Sequence, residues 1–335
     1  MEDEILSIIN QSIKEYNLED KIKINAEDIG INADCIKIKD KRIFQGKNKD
    51  GFLVTKINAD RTFENFFEHR SKDRQNDQGI LYSFKKQEFV PELIKKEQMH
   101  LRSLNEQLYN DPLEYCDLIN ITNPLVMHID KDNDKGKIFI YCFTKDFRNK
   151  IMWKKYGTNK ANNKIENIAI GFRYHKKIDS AGLNKIIELR DVIYNIGNEF
   201  DFIRDIQLKL YYRFKRTLFI DSSQYFARFF KREKYSYEDE VRLCIDYNQY
   251  ENLRELNKFY PGCFEYDFEK IILKEENNIL IPLNNEFFYI EICELICGKD
   301  IEDSQYEYLS ALAKEKEILI WKYDSDCDKN VTSGY

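Results

Sequence analysis

The chain has 335 residues, 42% of them hydrophobic and 14% aromatic, with 53 basic and 59 acidic side chains for a net charge of −6. This composition fills a sizeable core and excludes a disordered chain, and the negative balance excludes a generally basic nucleic-acid coat protein. There is no run of about eighteen apolar residues, so no membrane span is expected, and the acidic start MEDEILSIINQ lacks a signal-peptide core.

In chain order, Ile5, Ile8, Ile9 and Ile13 fall near one face and predict a helix over 3–16. Short strands are expected at 21–25, 35–38 and 42–44. The turn residues Asn48-Lys49-Asp50-Gly51 before 52–57 predict a hairpin. Phe63, Phe66 and Phe67 suggest a short helix, and the polar run 68–79 reads as a linker. Residues 1–75 are therefore expected to form a small N-terminal accessory α/β module for specificity, regulation or oligomerisation.

A larger domain is expected over 76–325, followed by a flexible tail at 326–335. Strands are predicted at 80–84, 99–104 and 137–144, with a helix over 88–97. Asn110-Asp111-Pro112 is turn chemistry, because proline keeps the residue before it out of the helical region. Trp153 and Tyr156 lie three apart and would share a helix face, where core packing is the ordinary role. A strand at 168–172 contains Gly171. A long helix is predicted over 183–215, broken near Gly197, and an aromatic helix over 225–230. Strands at 235–245, 268–273, 279–283, 287–297 and 318–323 and a helix over 302–315 complete an α+β pattern. The expectation is mixed, mainly antiparallel sheets with flanking helices.

The eight cysteines are scattered, with Cys142, Cys244, Cys293 and Cys297 in apolar runs and no C-x-x-C pair. They read as reduced core residues of a cytoplasmic protein. The four histidines, His69, His100, His128 and His175, show no metal-ligand spacing, and no metal site is expected from them. Between Lys145 and Lys177, ten basic side chains face only Asp146 and Glu166. On an acidic chain this is a local positive field, suited to a pyrophosphate, a nucleic-acid backbone or another acidic acceptor.

The stretch 235–245, YSYEDEVRLCI, holds the densest polar pattern. Read as a strand, it projects Glu238, Glu240 and Arg242 from one face and turns Asp239 away. Alone, this is a solvated strand face.

The order of pieces gives it more weight. Leu81-Tyr82-Ser83-Phe84, Asn110-Asp111-Pro112 with Glu114, Cys142-Phe143-Thr144, Met152-Trp153 with Tyr156 and Gly171, Lys231 with Tyr235, Glu238, Glu240 and Arg242, and Ile296-Cys297-Gly298 together resemble the bacterial domain-of-unknown-function family 2971. That order of parts is in turn similar to ADP-ribosyltransferases, with Thr144 where a Ser is usual and Ser83 where a His is common. The resemblance implies an ADP-ribosyltransferase-like core and NAD as co-substrate. It gives Glu240 as the carboxylate that stabilises an oxocarbenium-like ribose, Glu238 as helper base and Arg242 as the partner keeping one carboxylate ionised. Tyr82, Ser83, Asn110, Thr144, Trp153 and Tyr156 would contact NAD, and the basic region would face a nucleic-acid or protein acceptor. A cytoplasmic NAD-consuming enzyme of this kind fits a toxin or phage-defence effector. Two other readings stand beside it. One is a metal-dependent nuclease with Asp111, Glu238 and Glu240 on Mg²⁺. The other is a non-catalytic binding module in which Glu238, Glu240 and Arg242 form a structural network.

Overall fold

The computed structural model describes residues 1–20, 22–38, 45–47, 53–55, 80–104, 137–176, 187–192, 194, 199–220, 228–261, 267–274, 278–285 and 288–323. Helix α1 (Glu2–Glu15) buries Ile5, Ile9 and Ile13, spaced four apart, and carries three acidic residues in its first turn, where the helix dipole favours them. No strand forms at 22–25, because the chain bends there into a 3₁₀ turn, Ala26–Asp28, with the Asp28 carboxylate accepting from the Asn25 amide at 3.0 Å. Strands β1 (Ile29–Ile31) and β2 (Cys35–Ile38) pair antiparallel, as do β3 (Gln45–Lys47) and β4 (Leu53–Thr55). That second pair is the predicted hairpin. Its Asn48–Gly51 turn, the Phe63–Phe67 helix, the 68–79 linker and the tail lie outside the described residues.

The main sheet is built from β5 (Leu81–Lys85), β6 (Gln98–Ser103), β7 (Ile138–Thr144) and, past a small β8–β9 hairpin (Thr158–Asn159, Lys164–Ile165), β10 (Ile168–Lys176). It continues with β11 (Ile187–Asp191), then, after β12 (Thr217–Ile220), β13 (Glu240–Asp246), β14 (Leu273–Lys274), β15 (Asn278–Pro282), β16 (Phe288–Cys297) and β17 (Leu319–Lys322). The order β14-β15-β6-β7-β5-β10-β16-β17 is antiparallel except for β16–β17. Strand β7 is the centre. β6 and β5 pair with its opposite ends, and β13, followed by β11, runs along its other edge. Helices α2 (Val90–Lys96), α3 (Lys150–Met152), α4 (Glu199–Phe214), α5 (Tyr247–Phe259), α6 (Phe268–Ile271) and α7 (Asp303–Glu315) flank the strands. The fold is α+β with antiparallel-rich sheets.

Alternation along β7 and β13 divides two cores. Phe139, Tyr141, Phe143, Val241, Leu243 and Ile245 face one core together with Leu81, Leu189 and Phe172. Ile138, Ile140 and Cys244 enter a second core with α1, α4, β2 and the Phe229–Phe230 turn. Strand β12 adds to β2 in parallel, and α1 lies against α4. Residues 1–38 and 199–220 therefore share one small sheet and one core.

Four further expected elements differ. The long helix over 183–215 is a strand, Ile187–Asp191, followed by a helix, Glu199–Phe214. Ile187 and Leu189 lie two apart, a spacing that a strand puts on one face and a helix does not. The 235–245 strand starts only at Glu240. Glu233–Glu238 is a 3₁₀ helix that Asp239, at φ 43°, terminates in the left-handed region. Residues 268–273 form a short helix, Phe268–Ile271, before the strand. The expected aromatic helix at 225–230 is a turn at its described end, Arg228–Phe230.

Candidate functional site

Register brings distant residues into one row. Glu240 pairs with Thr144, Thr144 with Tyr82, Tyr82 with Gly171, and Gly171 with Glu294. Directly opposite residues of antiparallel strands project to the same face, so β13, β7, β5, β10 and β16 present this row together. Two residues along, Arg242 pairs with both Cys142 and Arg190 on that same face.

The row ends in a buried ion network. Arg242 is fully buried, and its Nε donates to Glu240 Oε1 at 2.9 Å while its Nη1 donates to the Arg228 carbonyl at 2.5 Å. The Lys231 ammonium donates to Glu238 Oε2 at 2.5 Å and to Glu240 Oε2 at 3.1 Å. Glu240, 3% exposed, thus has a cation on each oxygen, and its backbone amide donates to the Tyr194 hydroxyl at 2.8 Å. Glu238 Oε1 accepts from the Tyr156 hydroxyl at 2.6 Å and the Tyr237 hydroxyl at 3.1 Å. Lys155, exposed, donates to the Tyr237 hydroxyl at 2.7 Å, so this chain of contacts runs from the network to the surface.

Electrostatics follow the geometry. Burial alone would raise the Glu240 carboxyl, but the Arg242 guanidinium and the Lys231 ammonium outweigh it and hold it at about 2. The Tyr156 phenol is pushed far up, first by burial and then by the Glu238 charge. Tyr194 is raised by burial and by Glu240. The Cys142 thiol is raised the same way, so it stays protonated beside Glu240.

Glu238 and Glu240 do not share one strand face. They come from a 3₁₀ helix and a strand separated by the left-handed Asp239, and Lys231 joins them. Asp239 does turn away: it and Asp191 hold the buried Lys145 ammonium, at 3.4 and 2.9 Å. Lys145 is thereby withdrawn from the basic surface.

The other expected residues divide. Thr144 is buried in the row, its hydroxyl accepting from the Asp146 amide at 3.4 Å. Tyr82 donates to Glu294 Oε1 at 2.7 Å across Gly171, where an added Cβ would lie 2.5 Å from Glu294 Cγ. Gly171 therefore makes room for a side chain of this protein. Ser83, next along β5 from Tyr82, is buried on the opposite face. Trp153 is 1% exposed, stacks on Tyr323 at 4.3 Å and donates to the Phe147 carbonyl, which is core packing. The π-helix Trp153–Gly157 sends Trp153 inward while Tyr156, half-buried, reaches Glu238. Asn110 and Asp111 lie outside the described residues. Sequence reasoning left Lys231 and Glu294 out of the site. Lys231 stood among the family pieces but within a run of cations, Arg228, Arg232 and Lys234, that hid it, whereas Glu294 had no signal in its apolar strand.

Among the described residues, no group of three or more His, Cys, Asp or Glu side chains could hold a metal ion, and no helix is long and apolar enough to cross a membrane. The Lys231 ammonium occupies the space between Glu238 and Glu240 that a shared Mg²⁺ would need. Residues 152–243 match the model of the family described as Protein of unknown function (DUF2971). That segment carries Trp153, Tyr156, Lys231, Glu238, Glu240 and Arg242. No curated protein and no solved structure matches the chain.

Proposed function

We propose that this chain is an NAD-cleaving enzyme of the ADP-ribosyl-transfer type, with Glu240 as its working carboxylate. The observation that carries this reading is the row Tyr82–Thr144–Glu240. Three places far apart in sequence, each implied by the resemblance, stand at adjoining register positions on one sheet face. A carboxylate held at about 2 is ionised at neutral pH and can stabilise a ribose that becomes cationic as nicotinamide leaves. The C–N bond breaks with its electron pair going to nicotinamide. The ribose carbon then takes water or an acceptor, whose proton passes to Glu238. Arg242 fixes the orientation of Glu240, and the Thr144 hydroxyl lies beside it in the row. Trp153 is stacked on Tyr323 and Tyr156 bonds to Glu238, so in this reading Tyr156 rather than Trp153 meets the base.

A second reading has its own observation. Glu240, Arg242, Lys231 and Glu238 are all buried, with charges mutually satisfied, as in a network that only ties the 3₁₀ helix to the strand. Nicotinamide release from NAD, measured beside thermal unfolding for wild type and Glu240→Gln, separates the two. The enzyme reading requires release by wild type that the variant loses while still folded. The structural reading requires a lower unfolding temperature and no reaction in either protein.

A further inference from the structure

The basic run of the sequence is not one surface. Lys145 is buried between Asp191 and Asp239, and Arg173 lies 3.7 Å from Glu291. What remains among the described side chains is Arg148, Lys150, Lys154, Lys155, Lys160 and Lys164, all exposed. They sit on one local unit, the helix Lys150–Met152 with its π-helical continuation Trp153–Gly157 and the hairpin Thr158–Ile165 that follows directly. Met152, Trp153 and Gly157 anchor the inner side of this unit while Lys150, Lys154 and Lys155 stay outside. Among the described residues, none of these six cations forms an ion pair. Elsewhere exposed cations commonly do: Lys96 with Glu92, Lys209 with Glu15 and Asp205, Arg213 with Glu4, Lys258 with Glu255, and Lys316 with Glu97. On a chain of net charge −6, six uncompensated cations on one unit make a concentrated positive face.

We infer that this face binds the phosphodiester backbone of a single-stranded nucleic acid. The inference deepens the proposed function by naming a polyanionic partner for the same site. A pyrophosphate needs two or three cations, whereas this unit offers six, with Arg148 just before the helical part, Lys150, Lys154 and Lys155 on it, and Lys160 and Lys164 on the hairpin that follows. That number exceeds what one pyrophosphate would neutralise. The unit has no long helix to enter a duplex groove, and Lys155 lies against the half-buried Tyr237 ring, a cation beside an aromatic face of the kind that tracks a flexible strand. Lys155 marks the junction. Its ammonium lies 4.1 Å from the Tyr237 ring centroid and donates to that hydroxyl, which in turn donates to Glu238. A strand held by Lys155 therefore lies two hydrogen bonds, through the Tyr237 hydroxyl, from Glu238. An anionic membrane surface fits less well, because Ile151 is the exposed large apolar residue of the unit and supplies no inserting face.

The test is fluorescence anisotropy of labelled RNA and DNA single strands of about twenty nucleotides with the full chain, across roughly 50 to 200 mM salt. Matched duplexes and phosphatidylserine vesicles serve as comparators. Six phosphate contacts give a log–log salt slope of about −4, and the double variant Lys150→Gln/Lys154→Gln lowers its magnitude by about 1.4. Lys258→Gln, whose lysine is paired with Glu255, leaves the slope unchanged. Glu240→Gln binds as wild type does, so loss of the reaction and loss of binding are read separately. No binding to single strands at low salt overturns the inference. So does an equal salt slope for the double variant, or binding to vesicles in preference to oligonucleotides.

Discussion

The Lys231 ammonium lies 3.1 Å from Glu240 Oε2 while also holding Glu238 at 2.5 Å. One cation therefore bridges two buried carboxylates. In the wild type, the folded carboxyl of Glu240 is depressed to about 2, so its contribution to stability is complete above the usual carboxylate range and is lost as pH falls toward 2. Lys231→Met keeps the side-chain length and removes the charge, leaving Arg242 as the cation on Glu240. With one of its two depressing charges gone, the Glu240 carboxyl is lowered less, so the unfolding temperature of Lys231→Met is expected to be below that of the wild type at neutral pH and to fall less steeply between about pH 5 and pH 2. Parallel curves for wild type and Lys231→Met would rule this role out.

Arg242 is the other clamp. Its guanidinium is fully buried, so removing it leaves a carboxylate with one cation in place of two. Arg242→Met is expected to lower stability by about 3–5 kcal/mol in urea unfolding, the range for breaking a buried pair from one side. Arg242→Lys retains charge but cannot reach both Glu240 and the Arg228 carbonyl, and is expected to recover only part of the loss.

Gly171→Ala sets a methyl against Glu294 Cγ at 2.5 Å. Glu294 accepts from both the Tyr82 hydroxyl and Trp321 Nε1, so the displacement disturbs a tryptophan. The expected loss is about 1–3 kcal/mol, with a change in tryptophan emission in the folded state. Glu294→Ala in the same chain removes the obstruction and is expected to restore part of the stability.

Tyr156→Phe removes the 2.6 Å hydrogen bond to Glu238 without altering ring packing. A bond to a charged acceptor of this kind is worth about 1.5–3 kcal/mol, and denaturant unfolding is expected to register a loss in that range.

Much of the sheet was legible because its strands follow simple rules. KIFIYCFT buries both faces, and FFYIEICELIC is an apolar run that stops at Gly298. The failures share one cause. Ile186, Leu189 and Ile193 follow the helix period while Ile187 and Leu189 follow the strand period, and nothing local showed that the segment would pair with β13. In YSYEDEV, alternation predicted one continuous strand. The left-handed conformation of Asp239 splits it, and the buried partner of Asp239 is Lys145, ninety-four positions earlier. The site was readable as residue types but not as contacts. Glu240 and Arg242 stood out, whereas the approach of Lys231, and the capture of Tyr82 by Glu294 over Gly171, depend on register that the sequence does not display.

If Glu240 acts on NAD, the rate of nicotinamide release from NAD depends on its charge. That rate is measured for the full chain and for Glu240→Gln, each at a temperature where circular dichroism shows it folded. Measurable release by the wild type is expected, with a fall of about a hundredfold or more in the variant, the scale of losing a transition-state charge contact. Equal release by the two folded proteins, or none by the wild type with single-stranded nucleic acid, protein or water as acceptor, would contradict it.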